Sequence, residues 1–308
     1  MLKTNQQTLA HSVTLSGTGL HTGKNSNITI LPAESNQGIT FKRIDLKKNN
    51  FIKANYKNVT KATLCTTLEN EHGVKVSTVE HLLAALYISE IDNAIIEIDN
   101  EEVPIMDGSA FDFLKVFQST KILKLPQKRK YLKIKNKVEL KDGERKIFIE
   151  PNEFSLKIDF KLNYKNKVIG NQRNIVDFQL DDLVNVYKSR TFCLLEDVEK
   201  IKKLGLAKGG NLQNALVVNE EKVLNDGGLR NEKEFVNHKI LDLLGDFLLS
   251  GYRVLGKIVC YQGGHELTNL FLRKLLDSKT SYKCIEMQEA NISKKVHSNQ
   301  SIKIAVNA

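Results

Sequence analysis

Glu232-Lys-Glu-Phe-Val-Asn-His-Lys-Ile-Leu-Asp-Leu-Leu-Gly-Asp246 is the stretch whose reading decides the architecture. His238, Asp242 and Asp246 recur at i, i+4 and i+8, and a helix of 3.6 residues per turn stacks them on one stripe. Phe235, Val236, Ile240, Leu241, Leu243, Leu244, Phe247 and Leu248 flank that stripe. An ordinary surface helix does not crowd its polar face with so much apolar bulk. The pattern therefore predicts a mostly buried helix over residues 232–249. A His and a carboxylate one turn apart on such a helix can hold a divalent metal, and the remaining ligands must come from elsewhere in the chain.

Around this helix the second half of the chain reads as strands at 131–140, 146–150, 154–162 and 174–180, with short helices near 181–188 and 195–203. A strand at 215–218 precedes the 232–249 helix, and a strand at 254–261 and a helix at 266–276 follow it. The first half reads similarly. Residues 8–68 are β-rich, with alternating runs at 27–31 and 39–44. Glu71-His72-Gly73 is a turn joining 63–68 to 74–77. A helix at 78–87, a strand at 94–98 and a helix at 110–118 come next. Residues 121–130, with Pro126 and five Lys or Arg, read as a linker. Strands followed by helices in both halves predict an α+β protein of two domains of similar build, at 1–126 and 127–308.

The bulk composition is that of a globular protein: 308 residues, 41% hydrophobic and 27% charged. The net charge of +10 reads either as a solvated, lysine-rich surface or as the mark of an anionic partner. Cys65, Cys193, Cys260 and Cys284 are widely spaced, which argues against a thiolate zinc knuckle or a disulfide framework and for a reducing compartment. The N-terminus lacks the apolar core of a signal peptide, and no apolar run reaches the ~18 residues of a membrane span. These features predict a cytoplasmic protein with no integral membrane segment. The basic residues lack the aromatic interleaving of nucleic-acid-binding sheets, so no nucleic-acid partner is expected.

Beyond the stripe, the chemistry-bearing residues are scattered. His81, in Ser77-Thr78-Val79-Glu80-His81-Leu82-Leu83, is the best candidate for a further ligand, the alternative being a packed or solvent-facing histidine. Glu80 beside it can take a proton from a metal-activated water, but Ser77-x-x-Glu80 also has capping-box spacing, and the glutamate can simply cap a helix. His265 follows Gly263-Gly264 between a strand and a helix. It suits proton transfer, with Asp246 holding it protonated, or it caps the helix. Thr191, in Ser189-Arg190-Thr191-Phe192, can donate to an oxyanion or serve as an N-cap. Residues 193–218 fit a small amphipathic helix with a flanking strand, packing as core or walling an apolar channel. Gly17-Thr-Gly-Leu20-His21-Thr-Gly-Lys24 lacks P-loop spacing.

Taken in order, Gly17-Thr-Gly-Leu20-His21-Thr-Gly, Ser77-Thr-Val-Glu80-His81-Leu, Pro104-Ile-Met-Asp107-Gly-Ser109, Ser189-Arg-Thr191-Phe192, His238-Lys239-x-x-Asp242-x-x-x-Asp246 and Gly264-His265 resemble the UDP-3-O-acyl-N-acetylglucosamine deacetylase family. This is the zinc amidase of lipid A biosynthesis, and the resemblance covers about residues 8–277. It implies helices packed face to face between two sheets, with the active site between the domains. It implies a Zn2+ ion on His81, His238 and Asp242, Glu80 as general base, His265 as general acid oriented by Asp246, and Thr191 at the oxyanion. Lys239 would face the diphosphate of a UDP-linked acylated amino sugar. Leu20 and Phe192 would contact substrate, residues 194–215 would form an acyl passage, and the enzyme would act as a monomer. Two departures stand out. Phe160-Lys161-Leu162-Asn163-Tyr164 replaces the usual acidic-aromatic pair near the uridine, and Cys193 stands where Gly is common. A zinc amidohydrolase of another N-acetylated substrate, and a non-enzymatic basic anion-binding protein, are the alternatives. The basic tail at 293–308 is expected to be mobile.

Overall fold

The computed structural model describes residues 2–287, so the basic tail at 293–308 lies outside the described residues. The first half carries strands β1 (Asn5–Leu9), β2 (Val13–Thr18), β3 (Asn25–Pro32), β4 (Ile39–Arg43), β5 (Phe51–Lys53), β6 (Val59–Lys61), β7 (Thr67–Glu69), β8 (Lys75–Val76) and β9 (Ala94–Ile98), with helices α1 (Glu80–Ile88) and α2 (Phe111–Gln118). There follow β10 (Ile122–Lys128), β11 (Lys130–Ile134), β12 (Val138–Asp142), β13 (Arg145–Glu150), β14 (Leu156–Asn163) and β15 (Asn171–Asp177). Helix α3 (Val184–Tyr187), β16 (Phe192–Leu194), α4 (Leu195–Lys203), β17 (Leu216–Val218), α5 (Glu234–Leu248), β18 (Arg253–Tyr261), α6 (His265–Asp277) and β19 (Tyr282–Glu286) complete the α+β fold that the sequence predicts.

The main sheet of the first half runs β2-β3-β9-β4-β5. Its registers set Ile28 opposite Ile98, Ile30 opposite Ile96 and Phe41 opposite Ile96. All of these are buried, the period-2 signature of a half-covered sheet. In the second half β18 is the central strand. It runs parallel to β11 and β14 and antiparallel to β13. The full order is β12-β13-β18-β11-β19, with β14 on β18 and β15 beyond it.

Helix α1 is apolar beyond Glu80 and His81, and α5 sets its polar stripe between apolar flanks; both helices are enclosed. Every residue of α1 from Glu80 to Tyr87 is buried, as is every residue of α5 except Lys239. Helix α5 packs against α3, α6, β14 and β15 of its own half and against α1 of the other. The two helices therefore face each other, as the resemblance implies. Gly245 is the point of closest approach, since a β-carbon there would collide with the Glu80 carbonyl oxygen. Only glycine lets the α5 backbone rest on the first turn of α1. That contact carries Glu80 and His81 to the level of Asp242 and Asp246.

Two expectations are corrected. Residues 121–130, read only as a linker, contain a strand. Ile122–Lys128 forms β10, paired antiparallel with β1. Pro126 is accommodated because this ribbon has only two strands, and its carbonyl accepts from the Asn5 side chain at 3.0 Å. The single strand expected at 131–140 is two strands, β11 and β12, in the same sheet. The backbone turns between them at Asn136, whose N–H donates to the Ser281 carbonyl at 3.2 Å.

Candidate active site

Helix α1 supplies His81, and α5 supplies His238 and Asp242, all three buried. His81 Nε2 lies 3.4 Å, and His238 Nε2 3.3 Å, from the same oxygen, Asp242 Oδ1. One ligand atom from each residue falls within 4.8 Å of the others. The two imidazoles stand edge to face, 86° apart with centroids at 5.0 Å. Among the described residues none makes a hydrogen bond to Asp242 Oδ1. A buried carboxylate oxygen left in this way is costly unless a cation completes it, and two imidazoles with one carboxylate are a donor set for a borderline divalent ion. His238 Nδ1 lies 3.1 Å from the Ser189 carbonyl. That contact assigns the proton to Nδ1 and turns the Nε2 lone pair toward the cluster. Burial pulls the His238 pKa down to about 3, which keeps the imidazole neutral and ligand-competent. Burial opposes ionisation of Asp242, but His238 and the Lys239 ammonium hold its carboxyl well below the usual range.

Glu80 and His265 flank this cluster. Glu80 is the first residue of α1, and its Oε2 accepts the Thr66 backbone N–H at 3.0 Å. Its Oε1 lies 3.7 Å from His265 Nε2. The capping-box reading fails. Val79, not Ser77, is the N-cap and makes no side-chain capping bond, while the Ser77 hydroxyl donates to the Glu101 carbonyl. The physical reason is Thr78, whose φ of 55° breaks the helical path that a capping box needs.

His265 opens α6, with Gly264 as the N-cap residue. Its ring does not cap the helix: Nδ1 lies 2.8 Å from Asp246 Oδ2, and Nε2 is 3.9 Å from Asp242 Oδ2. Burial alone would lower the His265 pKa, but the carboxylates of Asp246 and Glu80 outweigh it and push the value up to about 10. Burial also raises the Glu80 carboxyl, against the opposing pull of His265 and His81. The pair thus sets an imidazolium beside a carboxyl group of raised proton affinity.

Lys239 extends from the exposed edge of the cluster. Its Nζ lies 2.9 Å from Asp242 Oδ2 and 5.5 Å from the centroid of the Phe192 ring. Burial works against its charge, but Asp242 holds the ammonium above the usual lysine value. Phe192 stacks edge-on against His238 at 6.3 Å and Phe235 at 5.0 Å. It also borders an apolar cavity of about 350 Å³, lined by Leu20, Thr191, Cys193, Val198, Ile201 and Leu212 among others. The segment read as one small helix with a flanking strand is α4 and β17, the latter parallel to β16. Cys193, the departure from the family pattern, faces this cavity.

The fold therefore gathers Glu80, His81, His238, Lys239, Asp242, Asp246 and His265 into one cluster. Thr191, Phe192 and Leu20 line the adjoining cavity. Phe160 is buried in the core and is not available to stack on a ligand. Tyr164, 5.9 Å from the Phe192 ring, is the aromatic of that segment nearest the site. Sequence reasoning missed Thr66. Its N–H holds Glu80, and its hydroxyl donates to Asp246 Oδ1 at 2.6 Å, so one residue braces both carboxylates. It also missed the Ser189 carbonyl, although Ser189 stands in a motif it singled out.

A sequence model of the family "UDP-3-O-acyl N-acetylglycosamine deacetylase" matches residues 6–277. The chain is 39% identical over 287 residues to the UDP-3-O-acyl-N-acetylglucosamine deacetylase of Shewanella baltica, covering 92% of this chain and 94% of that protein. It is 37% identical to the protein of that name from Haemophilus ducreyi and 39% identical to the one from Idiomarina loihiensis, each over 287 residues with 92% and 94% of the two chains covered. With the ordered motifs spanning both halves and the match running through almost the whole described chain, this protein belongs to the UDP-3-O-acyl N-acetylglycosamine deacetylase family.

Proposed function

We propose that this protein hydrolyses the acetamide of UDP-3-O-acyl-N-acetylglucosamine, releasing acetate and UDP-3-O-acyl-glucosamine for lipid A biosynthesis, with Zn2+ held by His81, His238 and Asp242. The observation that carries the reading is the convergence of these three side chains on the orphaned Asp242 oxygen, with a carboxylate and an imidazolium flanking them. When bound, zinc supplies Lewis acidity, polarising the acetamide carbonyl and making water a nucleophile at neutral pH.

The chain's own residues do the rest. Glu80, with Oε2 pinned by Thr66, keeps Oε1 free to take the proton of the attacking water. The Thr191 hydroxyl donates to the oxyanion, where losing one donor typically costs about 3–4 kcal/mol. His265, charged and aligned by Asp246, delivers its Nε2 proton to the departing amine, which is too basic to leave as an anion. The Lys239 ammonium faces the diphosphate. Leu20 and Phe192 flank the acyl chain in the passage formed by residues 194–215, a role supported by the apolar cavity those residues border.

The division into domains at 1–126 and 127–308, a monomeric state and a cytoplasmic location belong to the same proposal. Four free cysteines support the reducing compartment. Among the described residues no helix is long and apolar enough to cross a membrane. The test is product analysis by mass spectrometry after incubating zinc-loaded protein with the UDP-linked substrate. Acetate and the free amine are the expected products. Acetate released only from a different N-acetylated compound would replace the substrate.

A further inference from the structure

One buried carboxylate outside the cluster touches both the wall of the apolar cavity and the base of α1. Glu102 is fully buried. Its Oε1 accepts the His21 backbone N–H at 2.8 Å and the Thr78 hydroxyl at 2.8 Å, while Oε2 accepts the Thr22 N–H at 2.7 Å.

On one side of Glu102 is the turn at 19–24, closed by a bond from Gly19 N–H to the Lys24 carbonyl at 2.8 Å. A β-carbon on Gly19 would lie 2.5 Å from Glu102 Oε2, so the turn wraps the carboxylate with no space for a side chain. The same turn holds the cavity wall. Gly209 N–H donates to the Leu20 carbonyl at 3.0 Å, Lys208 N–H donates to the His21 carbonyl at 3.3 Å, and Leu20 and His21 both line the cavity. On the other side is Thr78, whose φ of 55° is one that a β-branched residue rarely adopts. Strain of this kind persists only where its surroundings impose it. Thr78 stands two residues before Glu80 and three before His81.

We propose that Glu102 is a positioning residue that couples filling of the acyl cavity to the placement of Glu80 and His81, so that turnover senses the length of the 3-O-acyl chain. The inference rests on the reaction proposed above. A chain seated against Leu20 and His21 braces the turn, the two amides of the turn fix the carboxylate, and the carboxylate fixes Thr78 and with it the first turn of α1. Remote binding energy is then expressed in kcat rather than only in KM.

Glu102→Gln keeps the side-chain shape but sets an NH2 group among three groups that already donate, so at least one pairing is lost. Thr78→Val removes only the hydroxyl arm and leaves both amide bonds in place, which keeps the test decisive if the glutamine variant does not fold. For each variant, kcat and KM are measured on a short-chain and a long-chain 3-O-acyl substrate, alongside metal content and thermal midpoint. The wild type is expected to have the higher kcat on the long chain. In both variants kcat on the long chain falls about tenfold, the size of one lost bond to a buried charge. On the short chain, which leaves the cavity wall unbraced in wild type and variant alike, kcat changes by less than about twofold. An equal fall on both substrates would make Glu102 a structural residue and overturn the coupling, as would a wild type with equal kcat on the two. Failure of the wild type to release acetate from either substrate would instead overturn the proposed reaction.

Discussion

Replacing Asp246 by Asn removes one negative charge from the back of His265 and almost nothing else. The amide oxygen still accepts from His265 Nδ1, and the amide nitrogen then faces the Thr66 hydroxyl, which rotates from donor to acceptor. The electrostatic change is large. Asp246 is the strongest of the influences that hold His265 up at about 10 against the pull of burial. Without it the imidazole falls from about 10 toward its ordinary value of 6.5, with Glu80 and Asp242 still raising it. A histidine at that value is about 1% protonated at pH 8.5, about 10% at pH 7.5 and about half at pH 6.5. The wild-type group stays charged throughout. If the cation is the proton donor, a fall the whole way to that value makes the variant up to about a hundredfold slower at pH 8.5, about tenfold at pH 7.5 and about twofold at pH 6.5, so the loss deepens as pH rises. The raised pKa also means that the charged pair stabilises the fold below pH 6.5, a contribution lost as pH rises toward 10. The assay is the pH profile of kcat/KM for both proteins. A variant uniformly slower at every pH, with its basic limb unmoved, would refute His265 as the acid and leave Asp246 a purely geometric role.

Other perturbations separate roles that the geometry brings close together. Glu80→Gln should keep the metal and the thermal midpoint while losing at least about a hundredfold in kcat, checked by metal analysis and turnover on one preparation; retained activity with a lowered midpoint would restore the capping reading. Gly245→Ala should drive a methyl group into the Glu80 carbonyl, costing about 1–3 kcal/mol of stability by denaturant unfolding and weakening metal affinity as His81 and Asp242 are forced apart. Arg253→Met should cost about 1–3 kcal/mol and lower the thermal midpoint, because the buried guanidinium donates to the Leu86, Tyr87 and Ile91 carbonyls at the C-terminal end of α1, while Asp92 keeps its pairing with Arg129.

What was legible in the sequence was periodic or carried by side-chain chemistry. The i, i+4, i+8 stripe on α5 announced a metal-competent helix because the spacing and the apolar flanks are both local. His81 followed from residue type, and the ordered motifs joined it to His238 and Asp242. What was not legible depends on contacts distant in sequence or made by the backbone. β10 pairs with β1 across more than a hundred positions, and its lysines and Pro126 masked a strand. Thr66 braces Glu80 through an N–H that any residue but proline possesses, and it meets Asp246 from 180 positions away. The motif Ser77-x-x-Glu80 has the right spacing for a capping box. Only the left-handed backbone at Thr78 shows that the spacing belongs to a different geometry. Gly245 reads as an ordinary weak point in a helix until α1 is seen resting on it.

The proposed reaction depends on one zinc ion held by His81, His238 and Asp242. Stepwise addition of zinc to metal-free protein, with acetate release followed at each step, tests it most directly. Activity should be absent at the start, rise linearly and break at about one zinc per chain. His238→Ala should remain inactive and fail to retain the ion. Full activity in the metal-free protein, or a wild-type activity that His238→Ala shares, would contradict the account.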